Sequence, residues 1–159
     1  MSSTLYLETT VFSFYHDDRP DPAIVARRSW TRQWWDEHRY RYDLVTSTAV
    51  LDELSRGTLS HKARALELAR TVHLIPIAIE IAEIVDGYIA HRLMPKDPFG
   101  DAMHLALASF QKCDFLLTWN CQNLANANKF GHIRRLHAIL DLHVPTLATP
   151  LELMDDARQ

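Results

Sequence analysis

Glycine is scarce in this sequence, with four residues at positions 57, 87, 100 and 131, none of them close to another. A phosphate-cradling loop needs clustered glycines so that backbone N–H groups can approach the anion, and none is formed here. Nucleotide-fold dehydrogenases are thereby disfavoured. Cysteine is scarcer still: Cys113 and Cys121 have neither CxxC spacing nor a disulfide-rich context, and both are expected to stay as thiols. Long apolar runs are missing, since the stretches at 74–85 and 102–110 are too short to cross a membrane. The opening "MSSTLYLETT" lacks a basic start followed by an apolar region and cleavage site, so a cytoplasmic location without membrane contact is expected. Positive charge is not in excess either. The formal net charge of -3 excludes a uniformly basic surface, and nucleic-acid contact must come from a local patch or from bound cations. The nine histidines form no HExxH or i, i+4 pair, which disfavours a zinc site. Serine and cysteine nucleophiles lack a recognisable elbow or partner.

What is present suits a single domain over residues 1–159, with 47% hydrophobic and 23% charged residues, enough to bury an ordinary core. "TLYLE" at 4–8 is a β-prone run ending in a charge, and "TTVFSFY" continues as a helix that either threonine can cap. Residues 22–42 predict one long amphipathic helix. "DLVTSTAVLDELSRG" repeats the opening pattern, with a strand to about Thr46, a cap at Ser47 or Thr48, a short helix, and Gly57 as its stop. Two helices follow, in 60–72 and 78–94; "DFLLTW" at 114–119 has the length of a buried strand; a helix at 132–142 and a short strand near 145–148 complete the chain.

Alternating strands and helices predict an α/β fold with a parallel sheet covered on both faces, whose ligands bind beyond the carboxyl ends of the strands. That rule gathers scattered acids into one candidate site. Glu8 ends the first strand, Glu53 lies just after the second, Asp101 opens a helix, and Asn120 follows a later strand. Asp101 poses the sharpest question, because the residues after it, from Ala102 to Phe110, are apolar nearly all the way round. The nearest basic residues along the chain are Lys96 and Lys112. Carboxylates that face one another repel unless a cation holds them, and oxygen ligands favour Mg²⁺ or Mn²⁺, which suit phosphodiester hydrolysis. Neutralisation of Asp101 by metal is the expectation. Asp97, before Pro98, has the form of a helix cap, and His104 that of a core histidine bonded to backbone. Asp17, Asp18, Asp21, Asp36 and Glu37 are expected to be caps or solvated acids.

Four blocks, "YLETTVFSFY", "VLDELSRG", "GDAMHLALA" and "LLTWNCQNLANA", run in that order over residues 6–127. Together they resemble the acidic-site blocks of PIN-domain proteins, especially the VapC-like ribonuclease toxins of toxin–antitoxin systems. The resemblance implies a Rossmann-like α/β/α sandwich, a Mg²⁺- or Mn²⁺-dependent endoribonuclease, a homodimer, and a cognate antitoxin protein that blocks the site. By position, Glu8 takes the place of the family's usual first aspartate, Glu53 that of the glutamate and Asp101 that of the third acid; these are the expected metal ligands. Asn120 stands where many members have a fourth acid, so one charge is lost and the amide oxygen is left to orient water or a hydrated cation. Asn123 is expected to shape the loop or reach the substrate, and Thr9 and Thr118 to support the acids by hydrogen bonds.

"ARRSWTRQWWDEHRYRY" interleaves five arginines with three tryptophans and two tyrosines. Such a mixture serves a core, a protein partner or unpaired RNA. Two rival functions stay open: a PIN-like interaction module with little or no nuclease activity, kept alive by the lost fourth acid, and a phosphohydrolase acting on a small phosphate ester.

Overall fold

The computed structural model describes residues 2–58, 60–93 and 100–154. Five strands form one sheet: β1 (Ser3–Leu7), β2 (Tyr42–Thr46), β3 (His73–Leu74), β4 (Phe115–Leu117) and β5 (Thr146–Ala148). Every pairing is parallel, and the order is β3-β2-β1-β4-β5. Seven α-helices cover it among the described residues: α1 (Thr9–His16), α2 (Pro22–Glu37), α3 (Thr48–Arg56), α4 (Lys62–Ala69), α5 (Glu80–Ala90), α6 (Asp101–Phe110) and α7 (Ala127–Ile139). This is the parallel α/β arrangement expected from the alternation of strands and helices, and the Rossmann-like one that the resemblance implies.

β1 is the middle strand, which explains why Leu5, Tyr6 and Leu7 are all fully buried. The chain builds outward from it through β2 to β3, then crosses back and adds β4 on the other side. The order therefore reverses between β1 and β4, and in open parallel sheets ligands bind beyond the carboxyl ends of the strands at such a reversal. Glu8 follows β1 and the loop 118–123 follows β4, so both lie at that switch point.

α6 is buried on most sides, from Ala102 through Ser109 except for half-buried Met103. Its alanines let it lie close to the sheet. Asp97 and Pro98, proposed above as its cap and first turn, lie outside the described residues.

Four local expectations are corrected. The α1 cap is neither threonine but Glu8, whose side chain accepts from Thr10 N at 3.1 Å. The helix expected to 42 ends at Glu37, because the chain must turn through a 3₁₀ segment, Arg39–Arg41, to enter β2 at Tyr42. α7 begins at Ala127 rather than 132, capped by Asn126, whose side chain accepts from Asn128 N. Asp17 is no solvated acid: it is 1% exposed, and a forked bond from Arg19 holds its carboxyl below the usual range despite burial. Asp21 is the α2 cap, and Asp36 accepts from the Tyr15 hydroxyl.

α7 is locked to α5 by a buried histidine. His137 Nδ1 donates to His143 O at 2.9 Å, which leaves Nε2 to accept from the Tyr88 hydroxyl at 2.9 Å. Burial lowers the His137 pKa; its bond to the His143 carbonyl opposes this and the His143 charge adds to it. As pH falls through about 6.5, the unfolded chain takes this proton before the fold does, so the contribution of His137 to stability is lost on the acid side. Urea midpoints measured near pH 7.5 and 5.5 check this. A His137→Asn variant should lose less on acidification than the parent, by up to about 1.4 kcal/mol per pH unit. Equal losses would mean that the fold accepts the proton freely.

Candidate active site

Glu8 leaves β1 as the strand gives way to α1, and it is 3% exposed. Its Oε1 accepts from Thr10 N, the Thr10 hydroxyl and the Thr118 hydroxyl, the last at 2.7 Å. Oε2 accepts no hydrogen bond among the described residues. Burial pushes the Glu8 carboxyl above its ordinary pKa, and the charge of His104 with the Thr10 and Thr118 bonds pulls part of the way back. A buried carboxylate with one oxygen saturated and the other open is suited to a cation.

Glu53 reaches the same place from α3. Its Oε2 accepts from the Thr9 hydroxyl at 2.9 Å, and its Oε1 lies 2.5 Å from His104 Nε2. His104 is fully buried on α6, and its other ring nitrogen lies 2.7 Å from the Tyr6 hydroxyl, which in turn meets Ser47 Oγ at 2.7 Å. Burial works against a charged imidazole here. The bond and charge of Glu53, with the charges of Glu8 and Asp101, outweigh it and raise the His104 pKa. Burial, opposed by the Ser47 bond and joined by the charges of Glu8 and Glu53, holds the Tyr6 phenol well above its usual value, so Tyr6 stays a donor. The Glu53 carboxylate accepts from His104 Nε2, and the Tyr6 hydroxyl donates to one of its two neighbours, His104 Nδ1 or Ser47 Oγ. His104 is thus bonded to side chains and not to backbone, contrary to expectation.

Asp101, half-buried at the start of α6, finds its partners after β4. Asn120 Nδ2 donates to Oδ1 at 2.8 Å and Asn123 Nδ2 to Oδ2 at 2.9 Å. The amide orientation is fixed on both sides, because Asn120 Oδ1 accepts from Gln122 N at 3.2 Å and Asn123 N at 3.1 Å. Behind them, Lys129 Nζ lies 3.3 Å from Asn123 Oδ1 and 3.2 Å from Leu93 O. Two amides therefore serve the Asp101 carboxylate, and the Asn120 oxygen accepts from two N–H groups of its own loop.

Of the residues proposed from sequence, Glu8 and Glu53 converge: with His104 they offer three ligand atoms, all within 4.8 Å of one another. Asp101 and Asn120 pair with each other, and Thr118 links the two halves by donating to Glu8 and accepting from Asn120 N at 2.9 Å. Thr9 and Thr118 both reach an acid. Tyr6 and Lys129 were not anticipated, and Thr10 and Ser47 were expected only as helix caps. The second threonine after Glu8 was the available signal for Thr10, since a short hydroxyl two residues past a cap can reach back to it.

The donor set fits a hard divalent cation. Carboxylate oxygens predominate, one of them open, and each Asp101 oxygen retains lone-pair capacity beyond its single amide bond.

Three comparisons bear on the family. The family model described as PIN domain matches residues 5–120. No curated protein sequence matches the chain. Among solved structures, the VapBC2 complex of Rickettsia felis, bound to a DNA fragment from its promoter, includes a chain with a similar fold. That chain has a TM-score of 0.51 and 13% identity, and the match covers 92% of this chain and 96% of the other.

Proposed function

Because this chain belongs to the PIN domain family, we propose that it is a metal-dependent endoribonuclease acting as a single domain, with Glu8, Glu53 and Asp101 holding Mg²⁺ or Mn²⁺. PIN domains are generally nucleases that use a divalent metal, and the match runs from Leu5 within β1 to Asn120 just after β4. The observation that carries the proposal is the meeting of acids from separate elements at the sheet's switch point, Glu8 with an oxygen left unpaired. When bound, a divalent cation supplies positive charge to phosphoryl oxygens and acidifies water. The chain's own contribution is positional. Thr10 and Thr118 fix Glu8, Thr9 and His104 aim Glu53, and Asn120 and Asn123 hold Asp101. Asn120 thus takes part through Asp101 and not as a ligand.

The likeness to a VapBC chain supports the narrower proposal that this is the toxin of a toxin–antitoxin module with a cognate antitoxin partner, and a homodimer is proposed with it on the family resemblance alone. No helix among the described residues is long and apolar enough to cross a membrane; a cytoplasmic location is proposed along with the toxin role.

One observation favours the rival reading of an interaction module. Glu53 and Asp101 already have internal partners, so the cluster can exist without a cation. Incubating the protein with RNA across Mg²⁺ and Mn²⁺ concentrations separates the two. Cleavage is expected with either cation, to cease on chelation, and to be absent from Glu53→Gln. A parent that cuts no RNA at any concentration of either metal would favour the interaction module.

A further inference from the structure

Trp119 sits between the two residues that organise the acids, Thr118 and Asn120. Its backbone N–H donates at 2.8 Å to the Thr10 hydroxyl, which itself donates to Glu8. Its indole N–H donates at 2.7 Å to the Thr31 hydroxyl of α2, which donates onward to Arg27 O at 2.6 Å. The ring is thereby immobilised beside the acid cluster, with 5% of the residue exposed. Trp30 stacks on it, with centroids 6.0 Å apart and planes 27° apart. Phe14 meets it edge-on. The Arg27 guanidinium lies over both rings, 5.4 Å from Trp119 and 5.6 Å from Phe14.

Two features of this cluster exceed what packing needs. Among the described residues Arg27 has no carboxylate partner, so its N–H fork is held in place by rings and remains available to an anion. Trp30 is only half-buried and continues the stack of Trp119 toward solvent. A substrate phosphodiester approaching Glu8, Glu53 and Asp101 meets like charge, and the chain's net charge of -3 gives no general attraction. Positive charge has to be supplied locally.

We propose that Arg27 and Trp30 form a subsite for one unpaired nucleotide next to the bond that is cut, with Trp30 stacking on the base and Arg27 holding a phosphate. The proposal rests on the ribonuclease reading and deepens it by giving one substrate base and its phosphate a place outside the acid cluster. Stacking on an aromatic platform is sequence-tolerant and requires an unpaired base, whereas a guanidinium fork takes any phosphate. The same surface would suit a protein partner, but an aromatic stack anchored between Thr118 and Asn120, beside a guanidinium with no carboxylate partner among the described residues, favours RNA.

Binding is measured by fluorescence anisotropy with a labelled single-stranded RNA and its duplex, in a Glu53→Gln background that leaves the RNA intact. Trp30→Leu is expected to weaken binding of the single strand about tenfold and leave the duplex unchanged. Arg27→Gln should weaken both and reduce the salt slope by about one, while Arg27→Lys keeps the slope. Thermal melts verify that each variant is folded. Trp30→Phe, which keeps an aromatic ring against Trp119, should retain binding while losing part of the RNA-dependent tryptophan quenching, so the proposal stays testable if Trp30→Leu does not fold. If the parent binds RNA and all variants bind it equally, this subsite is wrong and the ribonuclease reading stands. If the parent binds no RNA, both fall. Variants that keep RNA binding but lose a co-expressed protein partner would overturn the proposal in favour of a protein interface.

Discussion

Replacing Glu8 by glutamine is expected to lower metal-dependent RNA cleavage about a thousandfold, a barrier increase of roughly 4 kcal/mol, while raising the stability of the metal-free protein. Both effects follow from the asymmetry of this carboxylate. The glutamine oxygen can take over the Oε1 position and keep the bonds from Thr10 and Thr118, so the local fold survives. The amide nitrogen then occupies the Oε2 position and presents hydrogens where an open oxygen stood. A cation loses one ligand there. The metal-free protein, in contrast, is relieved of a buried negative charge close to Glu53. Stabilisation by roughly 1 kcal/mol is the usual scale when a strained functional group is neutralised. Cleavage rates and melting curves taken with and without Mn²⁺ test both halves. A Glu8→Gln protein that cuts RNA like the parent would remove Glu8 from the metal site, and one that is less stable without metal would mean that the charge serves the fold.

The second large effect concerns Asn120→Asp. The carboxylate can still accept from Gln122 N and Asn123 N, but the donor to Asp101 disappears and a like charge replaces it at hydrogen-bond range. Without metal the variant should lose roughly 1 to 3 kcal/mol, a fall in melting temperature on the order of 5 °C. Added Mn²⁺ should restore most of that and bind more tightly than to the parent, because two facing carboxylates need a cation more than a carboxylate and an amide do. Cleavage should stay within about tenfold of the parent, or roughly 1.4 kcal/mol in the barrier. Calorimetry and melts across Mn²⁺ concentrations decide the matter. An unchanged metal-free melting temperature would contradict the Asn120–Asp101 pairing.

The layers of this fold were legible in the sequence because they follow from period and punctuation. β1 and β2 each end in a residue that turns into a helix, and the continuous apolar run of α6 announces a buried helix beside the sheet. β3 was not legible, since two exposed residues, His73 and Leu74, carry no periodicity and are strand only because β2 lies alongside. The start of α7 was hidden because the asparagines before it read as loop until one of them is recognised as a cap. In the site, Glu8, Glu53 and Asp101 could be picked out by their positions relative to strands and helix starts. Their partners could not. The contacts of Asp101 lie 19 and 22 residues away, and those of His104 lie 51 and 98 residues away, in directions set by topology and not by local pattern. Asn120 had the type of a neutral ligand, and only the backbone donors of its own loop reveal that its oxygen is already engaged.

The outermost strands of the sheet are very short: β3 has two residues and β5 three. A free edge of ordinary length is a template on which a foreign strand can add by main-chain hydrogen bonding, the route both to aggregation and to one common mode of peptide capture. Edges this brief offer an incoming strand only a couple of bonds, too few to offset the ordering of the added segment. β3 and β5 themselves therefore offer little for edge-to-edge assembly, and recognition by another polypeptide is expected to use the helical faces and loops.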